Sequence, residues 1–501
     1  MNHLVIAPIL LPLVAGIVLL LLRRTPLPFQ RGLSLIALLA QVGVALHLLQ
    51  SVLEGPLRVY ALGNWQAPFG IVLVADPLAA WMVLITALLA LFALLYALRG
   101  GDQAGRHFHV LFQLQLFGLQ GAFLTGDLFN LFVFFEILLL ASYGLLLHGS
   151  GPRRSRAGLH FVVLNLAGSS LFLFAVGTLY GTFGTLNMAD LAVHISRASA
   201  DQQSLARLAG LLLFGVFALK AAVVPLHLWL PAAYAAATAP VAALFVIMTK
   251  VGAYGILRLD VLLYGDGALS DLLDAWLLPL ALLTLGLGTL GVMASTELRR
   301  QIAWLVVISV GTLLTAFALG GVNGIAAGLY YLPHTTFAGA AFFLLADSLA
   351  RRRGEHDDHF VPHARLADRR LLGGLFFIVA ILVAGLPPLS GFIGKFLILR
   401  AALDTPDATA WVLAIVLGGS LLTIVALARS GSLILYRSHP AEHGTATGQL
   451  WPELLPATGL ILLCLGLMIA AGPIDGITRL IAEQLMQPEI YIQAVLGGTG
   501  R

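Results

Sequence analysis

About fourteen long apolar runs, each close to the length needed to cross a lipid bilayer, constrain this 501-residue chain more than any other feature. A transmembrane helix needs about 20 apolar residues, and lipid requires that backbone polar groups be bonded within the segment. Runs this long and this uniformly apolar exclude barrel strands, which alternate in hydropathy. The sequence predicts an all-α polytopic membrane protein with about 14 transmembrane helices. They are expected at 4–22, 32–53, 76–98, 107–125, 128–147, 159–180, 205–230, 237–258, 271–293, 301–321, 324–350, 371–400, 409–436 and 453–475.

Composition excludes the soluble alternatives. Only 10% of the residues are charged and 59% are hydrophobic, whereas a soluble domain carries about 25% charged residues. The net charge of +4 comes from short arginine clusters between the runs, without the basic stripe and interleaved aromatics that bind a nucleic acid. The single cysteine, Cys464, excludes an intrachain disulfide and a cysteine-based redox or metal centre. The N-terminus lacks the positive segment of a signal peptide, so the first run is interpreted as a retained helix.

The arginines predict the orientation of the chain in the membrane. If the N-terminus lies outside, 18 arginines fall in inner loops and seven on the outer side. Cytoplasmic loops carry such an excess of positive charge. We therefore expect a bacterial inner-membrane protein with both termini in the periplasm. The outer arginines would be Arg58, Arg197, Arg207, Arg258, Arg400, Arg479 and Arg501.

Proline interrupts the seventh and twelfth runs at similar motifs, Val-Pro-Leu-His at 224–227 and Leu-Pro-Pro-Leu at 386–389. The two runs are five spans apart, and two tandem five-helix units must have opposite topology because five is odd. Broken helices at matching positions of inverted repeats indicate a transport pathway, although proline can also merely kink a packed helix. The predicted segments are 1–106 with transmembrane helices 1–3, 107–258 as the first repeat, 271–436 as the second, and 437–501 with helix 14 and an amphipathic tail.

The chain has only three lysines, Lys220, Lys250 and Lys395, and all three lie within apolar runs. A charge at the centre of a membrane helix costs at least about 2.5–3.5 kcal/mol on insertion scales. Snorkelling of the side chain to the interface is the alternative explanation. A desolvated lysine can release its proton, whereas a guanidinium effectively never does. The lysines are therefore predicted to form one set that exchanges protons.

Glu136 is the lone acid deep within a run. It needs a counter-charge or a proton, and a buried lysine is its natural partner, although the sequence does not say which one. His334 lies within the eleventh run and is either a proton relay or a hydrogen-bonded core histidine. Asp76 and Asp127 lie at span ends, where helix capping and an entrance role compete.

No cofactor or metal site is expected. His227 follows the first proline break and is expected to line it or to cap freed backbone groups. The loop around residues 356–363 has residue types that bind metals (three histidines and two aspartates), but a solvated cytoplasmic loop explains it more simply.

Several long motifs resemble the antiporter-like subunits shared by Mrp-type multisubunit Na+/H+ antiporters and respiratory complex I. The resemblance is detailed over about 110–440 and covers the whole chain in helix count. Within that family, the Glu136 motif and residues 186–191 are most similar to the D subunits of Mrp antiporters. Some members carry a lysine shortly after the histidine of the eleventh span, where this chain has Phe-Ala-Gly-Ala at 337–340. The motifs are residues 124–136, 141–143, 220–231, 239–240, 249–258 and 385–396.

The resemblance implies that Glu136 pairs with Lys220 and that Lys250 passes protons along the membrane mid-plane through His334 towards Lys395. The implied function is that of a proton-translocating subunit of a Na+/H+ antiporter, with Li+ or K+ as alternative cations. The chain would then be a transporter subunit rather than an enzyme, with other membrane subunits as partners and no nucleic acid. The alternatives are a proton-pumping subunit of a redox-driven complex (complex I or hydrogenase type) and a scaffold that only stabilises its partners.

Overall fold

The computed structural model describes residues 3–265, 267–364, 366, 368–436, 438–439 and 450–497. Three of the arginines that were counted to predict the membrane orientation lie outside these residues: Arg365, Arg437 and Arg501. The described residues are mainly helical and include 11 helices that are long and apolar enough to cross a membrane. These are α2 (Leu27–Leu53), α3 (Pro77–Ala97), α5 (Leu128–Leu146), α6 (Pro152–Phe183), α8 (Ala200–Ala221), α10 (Ala239–Leu263), α11 (Leu277–Ala294), α12 (Leu298–Ala318), α13 (Gly321–Arg353), α16 (Pro406–Gly431) and α17 (Leu450–Ile469).

Eight further α-helices lie within the described residues, which also contain five short 3-10 or π helices, and the all-α membrane prediction is confirmed. The count of fourteen spans also needs the two shorter apolar helices α1 and α4 and the broken pair α14–α15, so that number remains a prediction. The further helices are α1 (Ala7–Leu21), α4 (Phe108–Leu124), α7 (Met188–Ser196), α9 (Trp229–Ala236), α14 (Arg369–Ala384), α15 (Ser390–Ala402), α18 (Ala471–Leu485) and α19 (Pro488–Leu496).

Within the described part of the chain, four short strands occur that were not predicted from the sequence. β1 (Arg58–Ala61) and β2 (Val72–Ala75) form an antiparallel hairpin in which Arg58 pairs with Ala75. β3 (His363–Ala364) and β4 (Ser438–His439) form a parallel pair. Because these strands have only four or two residues, they leave little periodicity in a sequence dominated by apolar runs.

The two proline-containing runs are broken, as predicted. The first break separates α8 from α9, and the second separates α14 from α15. Backbone groups freed by a break need new partners inside a membrane. At the first break, Val224 N donates to Thr284 Oγ1 at 3.0 Å.

Helices α10 and α13 form the centre of the bundle and are buried along nearly their whole length. Helix α10 packs against α3, α8 and α13, and α13 packs against α12, α15 and α17. A helix that is apolar all round is stable in such a central position. These two helices carry Lys250 and His334.

A short backbone pairing recurs at corresponding places in the two predicted repeats. Leu128 N donates to Leu186 O at 2.9 Å, and Leu298 N donates to Asp358 O at 3.0 Å. In each repeat, the first residue of the second helix is hydrogen-bonded to a residue that follows the third helix. In the first repeat these helices are α5 and α6, and in the second they are α12 and α13. The two pairings lie at opposite ends of the bundle. The first is next to Asp127, which caps the start of α5. The second is next to Glu297, which contacts Arg153 at the start of α6, and α5 spans the distance between these two points.

Both ends of the described chain lie on the same face of the bundle as Asp127. His3 Nδ1 is 3.3 Å from Tyr60 Oη in β1, and Leu73 of the hairpin bridges to Thr125. Helix α19 packs against α7 and β1. Helix α18 buries a stripe made by Thr478, Ile481, Ala482 and Leu485, which is typical of an amphipathic helix.

Candidate functional site

Lys220 occupies the last turn of α8, immediately before the first break. Its Nζ donates to the backbone carbonyl of Asn165 at 3.3 Å and to the Asn165 side-chain Oδ1 at 3.2 Å. Asn165 lies on α6, and its Nδ2 donates to Phe161 O at 2.9 Å, which fixes the orientation of the amide. A cation in the last turn of a helix is also stabilised by the carbonyl end of the helix dipole. Local structure therefore provides a cation-binding position without a carboxylate in contact.

Glu136 lies on α5, partly buried, and accepts a hydrogen bond from Ser169 Oγ of α6. Ser169 is four residues after Asn165, so the two side chains lie on the same face of α6. Glu136 and Lys220 thus bind neighbouring positions on one helix, and the structure does not bring the two charged groups into direct contact.

Lys250 is buried in the middle of α10 and donates to Ser309 Oγ of α12 at 2.9 Å. Ser309 in turn donates to Val306 O of its own helix at 2.7 Å. A buried ammonium group that lacks an acceptor is costly. The hydroxyl of Ser309 supplies that acceptor and is neutral.

A cavity of about 20 Å³ lies next to this contact. Its lining includes Ser309, His334, Thr335 and Lys395, together with the small residue Gly339. A cavity needs about 10–15 Å³ to hold one water, and the water needs two to four polar partners. The space between the partner of Lys250 and the His334–Lys395 group is therefore large enough and polar enough for a single water molecule.

His334 is buried on α13, and its Nδ1 lies 2.9 Å from Ser390 Oγ at the start of α15. Gly391 makes this approach possible. A Cβ at position 391 would lie 2.0 Å from Leu382 O and 2.8 Å from His334 Nε2. The second break and the histidine are thus fitted together through a residue without a side chain.

Lys395 lies on α15, just beyond the second break. Its Nζ donates to Ala384 O at 2.9 Å and to Ser420 Oγ of α16 at 2.9 Å. Ala384 is the last residue of α14, and carbonyl groups at a helix C-terminus lack a partner within their helix. The break therefore creates the acceptor that holds Lys395. Gly385 gives the lysine stem its space, because a Cβ there would lie 2.8 Å from Lys395 Cδ.

The structure thus distributes the five predicted site residues over two clusters and one connecting contact. Glu136 and Lys220 share α6; Lys250 binds Ser309; His334 and Lys395 flank the second break. The exposed fractions of Lys220, Lys250 and Lys395 are 5%, 0% and 8%. Sequence reasoning missed the neutral side chains that bind the five predicted site residues. The only signal for each was a small polar residue inside an apolar run. They are Asn165, Ser169, Ser309, Ser390 and Ser420.

Asp76 and Asp127 both cap helices. Ala79 N donates to Asp76 Oδ1 at 2.8 Å, and Asn130 N donates to Asp127 Oδ1 at 2.8 Å. Asp76 also binds Arg258 at 2.5 and 2.9 Å. The sequence predicted that this span ends at Arg258, but α10 continues to Leu263 and Arg258 is buried in this pair.

The loop around residues 356–359 is organised by arginines. Asp358 Oδ2 accepts from Arg299 N at 2.6 Å, and Arg353 donates to the carbonyl groups of Asp357, His359 and Val361. Among the described residues, no group of three or more histidine, cysteine, aspartate or glutamate side chains is arranged to hold a metal ion. In the first break, the His227 ring packs against Trp304 with ring centroids 5.3 Å apart.

Outside the membrane spans, Asp102 connects the loop after α3 to α2. Arg31 donates to the Asp102 carboxylate at 2.6 and 2.7 Å. Burial raises the pKa of Asp102, but the hydrogen bonds and charge of Arg31, together with His109, outweigh burial and hold that pKa below its usual range. Asp102 is therefore an ionised anchor of this loop.

Comparison with known proteins gives one family match. Residues 125–423 match the family described as "NADH:quinone oxidoreductase/Mrp antiporter, TM". The matched segment begins just before α5 and ends within α16, so it includes all five predicted site residues.

Similar proteins extend over the whole chain. A protein of Rhizobium meliloti, described as the probable D subunit of a K(+)/H(+) antiporter, is 40% identical over 99% of this chain and 98% of that protein. The D subunit of a Na(+)/H(+) antiporter of Bacillus subtilis is 37% identical over 99% of this chain and 100% of that protein. A chain in the structure of the Mrp complex from Dietzia sp. DQ12-45-1b superposes with a TM-score of 0.87 at 28% identity, covering 99% of this chain and 100% of that one.

Proposed function

Because this chain belongs to the NADH:quinone oxidoreductase/Mrp antiporter transmembrane family, we propose that it is the proton-translocating subunit of a multisubunit monovalent cation/proton antiporter. It is a multi-pass membrane protein, and its relatives are antiporter subunits. One relative is named for K+ and another for Na+, so the exchanged cation is proposed only as a monovalent metal ion, with Na+ as the first choice.

The observation that carries the proposal is the bonding of the three buried lysines to neutral oxygens. Lys220 binds the backbone and side-chain oxygens of Asn165, Lys250 binds Ser309, and Lys395 binds Ala384 O and Ser420. A buried ammonium in contact with a carboxylate is held in its charged form, and separating the pair is costly. Neutral acceptors bind the charged lysine but impose a smaller cost when the proton leaves.

The first cluster provides a place where a proton can be held and released. Glu136 acts on Lys220 across the polar face of α6, through Ser169 and Asn165. An opposite charge nearby favours the charged form of a lysine. Movement of α6, α5 or α8 changes this distance and with it the proton affinity of Lys220.

The second cluster continues the pathway. A proton from Lys250 moves through Ser309 and a water in the adjoining cavity to His334, and then to Lys395. Hydrogen bonds through a bridging water are nearly as favourable as direct ones. The polar lining of this cavity supports the step, since Ser309, His334 and Lys395 all border it.

The two five-helix segments, 107–258 and 271–436, are proposed to be inverted repeats. The recurrent pairings of Leu128 with Leu186 and of Leu298 with Asp358 support this relation, because they occupy equivalent positions at opposite faces. The remaining segments would be 1–106 and 437–501.

The face that carries both described chain ends is proposed to be periplasmic, in a bacterial inner membrane. Fusion of a reporter that is active only in the cytoplasm to each end tests this orientation. Activity of the reporter at either end would contradict it.

The role of Lys250 tests the proposed function. Lys250→Ala should reduce ΔpH-linked Na+ or K+ exchange in inverted membrane vesicles to background, because the pathway loses its central proton carrier. Lys250→Arg should do the same, since a guanidinium keeps its proton. Arg106→Ala, at an exposed position outside both clusters, serves as the charge-loss control, and a native gel checks assembly of the complex.

Each alternative function predicts a different result. A scaffold would retain exchange after loss of Lys250, and a purely structural positive charge would be restored by arginine. A subunit of a redox-driven complex would co-purify with flavin or iron–sulfur subunits, which mass spectrometry of the purified assembly would identify. An antiporter subunit should co-purify with other membrane subunits only.

A further inference from the structure

A groove of about 690 Å³ lies outside the proton pathway, between α6, α9 and α12. Three arginines border it: Arg153 and Arg156 from α6 and Arg300 from α12. One carboxylate, Glu297, also borders it and forms an ion pair with Arg153. Arg156 and Arg300 are exposed, and neither has an ion-pair partner within the part of the chain that the structure describes. The groove therefore carries an excess of positive charge.

The lining changes from cationic to apolar along α6. Arg156, His160 and Leu164 follow one another at four-residue intervals, so they form a single stripe on the helix. At 1.5 Å per residue, the stripe extends about 12 Å from the arginine to the leucine. Leu228, with 70% of its surface exposed, lies on the other side of the groove. A polar end and an apolar end at this spacing match a lipid headgroup and the start of its acyl chain.

From this polarity we propose that the groove binds an anionic glycerophospholipid. Its phosphate would lie between Arg156 and Arg300, and one acyl chain would follow Leu164 and Leu228. Arginine is well suited to phosphate because its planar guanidinium donates two parallel hydrogen bonds. Basic pockets between transmembrane helices are known to select anionic headgroups. The site is separate from the proton pathway, although the buried side of the same helix carries Asn165 and Ser169.

Native mass spectrometry of the purified assembly in mild detergent tests the proposal. The probes are phosphatidylglycerol and phosphatidylcholine with identical acyl chains. We expect phosphatidylglycerol to bind at least about tenfold more tightly, because its headgroup has a net negative charge whereas the choline cation of the other lipid is repelled by the arginines. Arg156→Ala/Arg300→Ala should remove that preference. Arg156→Lys/Arg300→Lys keeps both charges and should retain the preference for phosphatidylglycerol, with weaker binding because lysine lacks the paired donors of a guanidinium.

Arg23→Ala/Arg24→Ala is the matched control, because it removes two exposed arginines that do not border the groove. Equal affinity for the two lipids, or an equal loss in both double-alanine variants, would overturn the proposal. A photo-reactive side chain at position 228 of the intact assembly gives a second test that needs no arginine change. Crosslinking to lipid in native membranes supports the site, and crosslinking to a neighbouring protein subunit overturns it.

Discussion

Addition of a single methyl group at Gly391 should separate His334 from the second break. In the present structure a Cβ at that position would lie 2.0 Å from Leu382 O, whereas ordinary contacts begin at 3.4 Å. The difference, 1.4 Å, must be met by movement of backbone, because the obstructing atom is a carbonyl oxygen of α14. Overpacking of this kind typically costs about 1–3 kcal/mol.

The same methyl group would lie 2.8 Å from His334 Nε2, so the histidine ring has to move as well. The ring must move by 0.6 Å to reach an ordinary contact distance of 3.4 Å, which would stretch its 2.9 Å contact with Ser390 Oγ to the limit of a hydrogen bond. In enzymes, a misplacement of about 1 Å can reduce the rate about a hundredfold. We therefore expect Gly391→Ala to assemble normally and to lose at least about tenfold in cation/proton exchange.

The measurement is ΔpH-linked cation exchange in inverted vesicles, with assembly checked on a native gel. Gly374→Ala is the matched control, because a Cβ at this exposed position of α14 would meet no atom within 4 Å. That variant should keep its activity. Full exchange in an assembled Gly391→Ala variant would refute the proposed role of the His334 contact.

Three further predictions concern single side chains. Glu136→Gln should abolish exchange, whereas Glu136→Asp should retain part of it. If Glu136 and Lys220 act as one switch, Glu136→Gln combined with Lys220→Ala should be no worse than either single change. Strictly additive partial losses in vesicle assays would contradict this. His334→Ala should impair exchange less than loss of a lysine does, because hydroxyl groups and water can carry part of the relay; complete loss would show that the imidazole is essential. Asp102→Asn should lower the unfolding temperature more at pH 7 than at pH 3, because a carboxylate whose pKa is held below its usual range by Arg31 contributes stability above about pH 4 and loses it as pH falls through that lowered pKa. An equal effect at both pH values, measured by fluorescence in detergent, would contradict that origin.

The sequence was most informative where it departed from the surrounding composition. A charged side chain within an apolar run is costly in a membrane and therefore faces the interior of the helix bundle. The burial of the three lysines was predictable from the sequence for this reason. The breaks at 222–228 and 385–389 were predictable for a similar reason, since proline removes a donor and cannot continue a helix unchanged.

Serine and asparagine carry no such signal. Asn165 and Ser169 sit in an apolar run of α6 and resemble ordinary polar residues of a membrane helix, although their four-residue spacing places them on one face. Whether that face turns towards Glu136 and Lys220 depends on the packing of three helices, which periodicity alone does not determine. For that reason the sequence alone did not identify the partner of Glu136, and the pairing with Lys220 was only implied by the family resemblance.

In the proposed pathway, the cavity of about 20 Å³ beside Ser309 would favour protons over metal ions. A proton crosses such a gap by exchange of bonds between neighbouring oxygen and nitrogen atoms, so one water molecule is enough. A metal ion must either bring its water shell or find several oxygen ligands in its place, as in the filters of ion channels. A volume of about 20 Å³ is too small for a hydrated metal ion, and a charged Lys395 on its wall would repel any cation. Under the proposed function, the stretch between Lys250 and Lys395 passes protons and excludes metal ions, so the exchanged metal ion would follow a different route.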